Sequence, residues 1–359
     1  MNLKVKKNYF FFLRLFNFFK NIFRANLIKP LVIRNQNYIN NVKIEYNKNL
    51  YFGNKNKKLF FYVIKRKFTP SGFFSNLFFV LDHLIYSLKK DLEPYVDMNN
   101  YPTVYNEKNI IYKTSNSWEY YFHNLSKKKN IYSSYNITFS EDRRITKDSF
   151  ENRKQLKIFF KRYINILPKH LLKYKLIKSK LFNKNDKILG ISISGGLQKI
   201  VRGHWFPLPP KEILKISERI FLKQKCTKVF LVTRDLSYYE EFKNFYKDKF
   251  IDTDLLRSKS FFLGSHNTHF EKYSRRDHRY KLGQETLIEG LLLSDTNVLL
   301  SDSSNISLFA FMNSPSNFKY LIKSEFNSSN IFIARWLWYL KVYFPIIFRK
   351  INYKIIRYN

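Results

Sequence analysis

The feature that most limits the fold is an alternation of short apolar runs and amphipathic stretches along the second half of the chain. The apolar runs are typical of buried strands and occupy residues 187–196 (KILGISISGG), 228–235 (KVFLVTRD) and 297–305 (NVLLSDSSN). Helical patterns separate or follow them, at 209–224, in LSYYEEFKNFYKD, at 283–294 and from ISLFAFM onward. Such an alternation predicts an α/β fold built on a parallel sheet.

A shorter unit of the same kind precedes it. The run LFFYVIKRK (59–67) suits a buried strand, Pro70 and Gly72 interrupt it, residues 77–90 have helical spacing, and 93–98 suit a second strand. This order predicts one βαβ unit. Residues 126–185 favour helices, with Ser140 as a plausible N-cap.

These patterns predict two Rossmann-like domains. The expected limits are 57–185 and 186–325, preceded by a basic aromatic segment at 1–56 and followed by a helix and basic tail at 326–359. The apolar C-terminal helix, 331–348, is expected to cross back to the first domain.

Charge and cysteine content limit the function classes. Sixty-five Lys and Arg residues against 27 Asp and Glu give a net charge of +38, which favours attraction to anionic lipid, nucleic acid or nucleotide phosphates. The abundance of Phe and Tyr beside few Gly is also typical of an AT-rich genome, so the charge identifies no partner by itself. A single cysteine, Cys226, excludes an intramolecular disulfide framework and a cysteine-cluster zinc site.

Both ends of the chain mix large aromatic residues with Lys and Arg. No uncharged apolar run reaches the roughly 18 residues of a membrane-spanning helix. Residues 9–23 instead suit an interfacial amphipathic helix, or equally a helix packed on the protein's own core. With residues 336–357 they predict contact with a membrane surface.

Three loops lie where a predicted strand gives way to a predicted helix: Ser71-Gly72, Gly195-Gly196 and Ser303-Ser304-Asn305. Backbone N–H groups at a helix N-terminus bind phosphate well. Alone, each loop is explained more simply by an ordinary glycine turn or a Ser or Asn cap. None matches a Walker A motif or a dinucleotide-binding fingerprint.

Taken together, the segments resemble a known family. LGISISGG with RGHWFPLPPKEILKISERIF, then KVFLVTRD, then HRYKLGQETLIEGLLLSDTNVLLSDSSNISLFA are similar to the three C-terminal motifs of the fucosyltransferase superfamily, and SGFFSNLFFVLDHL is similar to the N-terminal half of bacterial relatives. The resemblance covers roughly 60–325. It implies a GT-B fold, with two Rossmann-like domains facing each other across a cleft that holds a nucleotide sugar. The usual donor is GDP-fucose, and neither a metal nor another cofactor is required.

The resemblance assigns site residues unevenly. Where the first motif of the family has His-x-Arg, this chain has Ser192 and Ser194, and Leu197 follows at another signature position. The family's arginine contacts the donor diphosphate, and Ser194 carries no charge. The donor-binding residues that the resemblance implies are Ser194, Gly195, Gly196, Asp235, Arg279, Glu289, Ser303, Ser304 and Asn305. Gly72, Phe73 and Asn76 form the expected acceptor-side loop.

Other cations stand near the motifs. Arg202, Arg279 and Lys281 could replace the missing arginine, because a guanidinium binds a diphosphate bidentately; a solvated basic surface is the alternative. Arg202 and His204 are the catalytic candidates, although His204 beside Trp205 also suits a packed loop.

Two carboxylates and a histidine near the predicted cleft also have purely structural interpretations. Asp82 and His83 face the cleft or the surface of a helix. Glu119, between Trp118 and Tyr120, is an acceptor-side carboxylate or marks a buried helix.

Three functions remain. The first is an inverting glycosyltransferase, cytoplasmic or peripheral on the inner face of the membrane, which modifies a glycan or lipid-linked glycan. The second is a catalytically degenerate homologue that binds nucleotide sugar or glycan. The third, a basic nucleic-acid-binding protein, lacks any recognised module, so no specific nucleic acid is expected.

Overall fold

The computed structural model describes residues 53, 55–66, 71–128, 131–142, 144, 150–253 and 275–358. The expected interfacial helix at 9–23 lies outside these residues.

The first half contains a three-stranded parallel sheet. Its elements, with the two helices that follow, are β1 (Lys55–Ile64), α1 (Phe73–Lys89), β2 (Glu93–Val96), β3 (Ser134–Phe139), α2 (Arg153–Tyr163) and α3 (Pro168–Leu181). The strand order is β2-β1-β3, and β1 pairs in parallel with both neighbours. The last four residues of β1 are buried because the strand is the centre of the sheet. The predicted βαβ unit is confirmed.

The second half contains a six-stranded sheet. Its elements are β4 (Ile188–Ser192), α4 (Pro210–Lys223), β5 (Lys228–Val232), α5 (Leu236–Tyr246), β6 (Phe250–Ile251), α6 (His278–Ser294), β7 (Val298–Ser301), α7 (Asn305–Asn313), β8 (Lys319–Ser324), α8 (Ile331–Tyr343), α9 (Pro345–Phe348) and β9 (Tyr353–Tyr358). The order β6-β5-β4-β7-β8-β9 is parallel except for β9, which is antiparallel to β8. This is the 3-2-1-4-5-6 order of a Rossmann sheet with its last strand reversed. The predicted α/β fold of the GT-B type is confirmed, while the domain limits stay a prediction.

Two local expectations are wrong. Ser140 caps no helix: its hydroxyl accepts from the Lys65 N–H at 2.9 Å and donates to the Lys65 carbonyl at 2.6 Å, which ties the end of β3 to the end of β1. Helix α8 does not cross back to the first half. Its Trp338 and Tyr339 are buried in the core of the second sheet, and Trp338 Nε1 donates to the Pro207 carbonyl at 2.7 Å.

The two halves share a hydrophobic core. One cluster joins Phe73, Phe74 and Tyr121 of the first half to residues of α6 and α7 in the second. Gly283 and Gly290 lie two turns apart on one face of α6. A Cβ on Gly283 would lie 2.1 Å from Tyr121 Oη, and one on Gly290 would lie 2.3 Å from Phe74 Cζ. Aromatic side chains of the first half therefore pack directly on the α6 backbone, which fixes the relative position of the halves.

In the described part of the chain, every helix is too short or too polar to cross a bilayer.

Candidate functional site

The cleft lies at the carboxyl ends of the strands. The chain runs outward from β4 through β5 to β6 and then returns to place β7 on the other side of β4, so the strand order reverses between β4 and β7. Ligands of open α/β sheets bind at this point. Ser192 is in register with Val232 on β5 and with Ser301 on β7. The residues just beyond these three strand ends therefore lie side by side.

A cavity of about 370 Å³ occupies this position, between the second sheet and the first turn of α1. Its volume is within the range of small-molecule sites, roughly 300–1,000 Å³. The predicted site residues that line it are Gly72, Phe73, Ser194, Gly195, His204, Asp235, Glu289, Ser304 and Asn305. The loops at Ser71, Gly195 and Ser304 thus come together.

Asp302 links two of these loops, and the sequence analysis did not identify it. Its buried carboxylate accepts hydrogen bonds from the backbone N–H groups of Ser194 and Ser304, the latter at 3.0 Å, and from Ser307 Oγ at 3.2 Å. Burial raises the pKa of this carboxyl group, and the hydrogen bonds oppose the rise. The Ser194 and Ser304 N–H groups are therefore already engaged, although the Ser303-Ser304-Asn305 loop was expected to offer free N–H groups to a phosphate.

The start of α7 offers the remaining backbone donors. Ser304 is the N-cap, and its side chain accepts from the Ser307 N–H. The first N–H groups of an α-helix have no partner within that helix. Asn305 and Ile306, the first two residues of α7, both line the cavity. This helix end therefore suits an anion.

Asp235 belongs to a buried ion pair behind the Ser194 loop. Its Oδ1 caps α5 by accepting from the Ser237 N–H at 3.0 Å. Its Oδ2 lies 3.5 Å from Lys199 Nζ, and both side chains are 1% exposed. Burial lowers the pKa of Lys199, and the Asp235 charge counteracts that effect. A Cβ on Gly195 would lie 2.5 Å from Asp235 Oδ2, so this position needs glycine for close approach.

Arg234, one residue earlier, belongs to a second ion pair at the cleft. Its Nη2 lies 2.7 Å from Glu289 Oε2 and donates to Thr286 Oγ1 at 3.0 Å. All three residues line the cavity. Arg234 lies within the run KVFLVTRD (228–235), and no role was predicted for it from the sequence. The sequence feature that could have identified Arg234 is a cation placed just after a predicted strand, beside the Ser194 loop.

The three cations proposed from sequence lie elsewhere. Arg202 is exposed, and Arg279 Nη1 donates to the Asn106 carbonyl of the first half at 3.1 Å. Neither they nor Lys281 are part of the described cavity wall. Ser303 is also outside the described wall, and Gly196 begins a 3₁₀ turn (Gly196–Lys199).

Asn76 is likewise outside the cavity wall: it is buried and accepts from Arg66 Nη1 at 3.0 Å.

His204 lines the cavity beside Trp205. Their ring centroids are 5.1 Å apart, and His204 Nδ1 lies 3.4 Å from the Trp205 carbonyl oxygen. Burial lowers the pKa of this imidazole, so it is neutral near pH 7. A proton on Nδ1, donated to that carbonyl, leaves the Nε2 lone pair to accept a proton.

The other singled-out polar residues have partners inside the first half. Asp82 Oδ2 accepts from Arg144 Nε at 2.8 Å, and His83 Nδ1 lies 2.9 Å from Tyr62 Oη. Glu119 accepts from Thr114 Oγ1 and from Asn124 Nδ2, each at 2.8 Å. These contacts give the three residues structural roles.

Within the described ranges, no group of three or more His, Cys, Asp or Glu side chains is placed to hold a metal ion.

Neither a family model nor a curated protein matches the chain. Its fold is similar to that of NodZ α-1,6-fucosyltransferase soaked with GDP-fucose, which is 12% identical with a TM-score of 0.46 over 84% of this chain and 100% of that chain. Fucosyltransferase NodZ from Bradyrhizobium is 13% identical, with a TM-score of 0.44 over 74% and 96%. A point mutant of Arabidopsis thaliana FUT1 in complex with GDP is 12% identical, with a TM-score of 0.43 over 85% and 78%. These solved neighbours are fucosyltransferases, the superfamily that the sequence motifs resemble.

Proposed function

We propose that this chain is an inverting glycosyltransferase that takes a sugar from a nucleotide donor, with GDP-fucose expected, and transfers it to a glycan or lipid-linked glycan. The observation that carries the proposal is the cavity at the reversal of strand order, where the α7 N-terminus and Arg234 meet the Ser194 loop. A helix N-terminus and a guanidinium are groups that bind phosphate oxygens. The Ser71–Ser75 stretch on the opposite wall would face the acceptor.

The reaction needs a base and a stabilised leaving group. An acceptor hydroxyl oxygen attacks the anomeric carbon, the bond from that carbon to the phosphate oxygen breaks, and the nucleoside diphosphate leaves with the bonding electrons. The hydroxyl proton passes to a base. His204 is our candidate, because it lines the cavity and burial lowers the pKa of its imidazole.

A panel of nucleotides tests the donor class. The melting temperature of the full chain is measured with GDP, UDP, CDP, ADP and their sugar derivatives. Selective stabilisation by GDP and GDP-fucose is expected, since a ligand at 100 times its Kd adds roughly 2.7 kcal/mol. Equal response to all, or preference for nucleic acid, would contradict the proposal.

A non-catalytic binder is the alternative that the cleft chemistry favours next. Ser192 and Ser194 carry no charge where the first motif should, and the Ser194 N–H is held by Asp302. Release of fucose from GDP-fucose, with and without glycan acceptors, separates the two functions. Binding without turnover would favour the binder.

The C-terminal region supports peripheral contact with the inner face of a membrane. Phe332 is 75% exposed, and Ile346 and Ile347 of α9 are 93% and 73% exposed. Residues 326–358 contain Lys and Arg but no Asp or Glu. We propose that this surface meets anionic lipid.

Co-sedimentation tests the membrane contact. Binding to anionic vesicles should exceed binding to neutral ones and should fall in Ile346→Glu; equal recovery with both lipids at low salt would contradict the electrostatic part.

A further inference from the structure

The guanidinium of Arg234 brings a positive charge to the wall of the cavity. Within the described part of the chain, it is the only Lys or Arg side chain in the cavity wall. Arg234 follows β5, which pairs with β4, and β4 leads into Ser194. A cation thus stands beside the loop from which the expected arginine is missing.

Helix α6 holds this guanidinium in place. Thr286 and Glu289 are three residues apart, so they lie on the same face of the helix. Both contact Arg234 Nη2, at 3.0 Å and 2.7 Å. The Arg234 side chain remains 13% exposed, whereas Glu289 is 3% exposed. The planar guanidinium is therefore positioned at the cavity wall before any ligand arrives.

The proposed reaction places negative charge in this space. A departing nucleoside diphosphate gains charge in the transition state, and a pre-positioned cation stabilises it. Ser194 offers no charge there. The other candidates from sequence, Arg202 and Arg279, lie outside the described wall.

We infer that Arg234, held by Glu289, binds the diphosphate in place of the arginine absent at Ser194. The inference rests on the proposed function, because it assigns the charge that a nucleotide donor requires. Glu289 then acts as the counter-ion of Arg234, and it reduces the attraction of Arg234 for the diphosphate. The sequence resemblance instead implied that Glu289 contacts the nucleotide. The two roles predict opposite results for Glu289→Gln: tighter diphosphate binding for a counter-ion and weaker binding for a nucleotide ligand.

Calorimetry with three probes tests the assignment on the full chain: GDP, guanosine and inorganic pyrophosphate. Arg234→Gln should lower the binding affinity for GDP and for pyrophosphate about 10- to 100-fold, which corresponds to the loss of one charge-assisted hydrogen bond. The affinity for guanosine should not change. Arg234→Lys should give an intermediate loss, because Lys keeps the charge without the planar fork. Glu289→Gln should tighten GDP and pyrophosphate.

Two controls guard against a folding artefact. Arg219→Gln removes an exposed arginine of α4 that is not part of the described wall, and it should change no affinity. The double variant Arg234→Gln/Glu289→Gln removes both charges, so no buried carboxylate is left without its partner. It should keep the wild-type circular dichroism spectrum and still bind GDP more weakly than wild type.

The outcomes separate the inference from the proposed function. Suppose that wild type binds GDP. If Arg234→Gln then lowers the affinities for GDP and guanosine equally, or lowers neither, the inference is overturned and the proposed function stands. If pyrophosphate binds through Arg234 but no nucleotide binds more tightly, the anion site stands and the proposed donor is wrong. If none of the three probes binds wild type, both fall.

Discussion

Two consecutive residues at the end of β5 enter ion pairs of opposite character. Arg234 pairs with Glu289 at the cavity wall, and Asp235 pairs with Lys199 behind the Ser194 loop, where both side chains are sealed from solvent. In extended backbone, successive side chains point to opposite sides. The same strand end thus supplies Arg234, which is 13% exposed, and Asp235, which lines the cavity but is 1% exposed and paired with Lys199. Whether a charged pair acts as a site or as scaffold depends on this direction.

The energetic consequence is asymmetric. Removing one partner of a buried pair leaves an uncompensated charge in the interior, which costs several kcal/mol. Arg234 is 13% exposed at the cavity wall, so its loss should also change ligand binding, while the 3% exposed Glu289 carboxylate left behind adds a folding cost. Four experiments test these expectations.

Lys199→Met should break the sealed pair. The loss of unfolding free energy should be about 3–5 kcal/mol, because Asp235 keeps its charge without a partner. Urea denaturation of the full chain measures it. Lys199→Met/Asp235→Asn removes both charges and keeps a good α5 cap, so it should recover part of the loss. Equal losses in the single and double variants would contradict the pairing.

Gly195→Ala should force the Ser194 loop away from Asp235. The new Cβ would lie 2.5 Å from Asp235 Oδ2, and such overpacking costs about 1–3 kcal/mol. Gly72→Ala is the matched control across the cleft, since a Cβ there meets nothing within 4 Å. The control should cost less than about 1 kcal/mol, the size of an N-cap change. Similar melting temperatures for the two variants would show that the Asp235 contact does not limit the loop.

His170 is a buried titratable group, and the charges of Lys169 and Lys173 act on it in the same direction as burial. It lies between the Tyr120 carbonyl, 2.8 Å from Nε2, and Gln284 Nε2, 3.0 Å from Nδ1. Burial lowers its pKa from 6.5 to about 4. The unfolded chain therefore gains a proton first, and stability should fall as the pH drops from 6.5 towards 4.

The slope from His170 cannot exceed about 1.4 kcal/mol per pH unit, which corresponds to one proton. Denaturation of wild type and His170→Gln across this pH range isolates that share. Parallel pH profiles would mean that His170 titrates alike in both states.

Salt concentration should affect the two ion pairs differently, and this is the smallest of the expected effects. Raising KCl should weaken the attraction between Arg234 and GDP, because mobile ions screen charges at an open cavity. The sealed Lys199–Asp235 pair should be unaffected, so the Lys199→Met stability loss should be the same at low and high salt. A salt-dependent loss for that variant would show that solvent reaches the pair.

The alternating core could be predicted because each central strand is an apolar run bounded by a turn. Strand β3 was missed, since SYNITF mixes polar and apolar residues at a sheet edge and only partly buries them. Strands β8 and β9 pair although helices α8 and α9 lie between them in the chain. No local sequence pattern indicates an antiparallel edge strand.

The site residues likewise fall into those that local sequence patterns predict and those that depend on the three-dimensional arrangement. Ser194, Gly195 and Ser304 were found because strand-loop-helix junctions are visible in sequence. Arg234 and Lys199 were not, because their roles depend on which side of the backbone each side chain takes. Asp302 was missed because its two loop partners are adjacent only once β4 and β7 pair.

The glycine face of α6 has a consequence for building hybrids of this protein. Tyr121 and Phe74 reach the α6 backbone only because Gly283 and Gly290 carry no side chain. A first half from another protein would bring different aromatic shapes to this face and would meet holes or clashes. The transferable module is therefore the first half together with α6 and α7, although the first half ends with α3 at Leu181 and α6 begins only at His278.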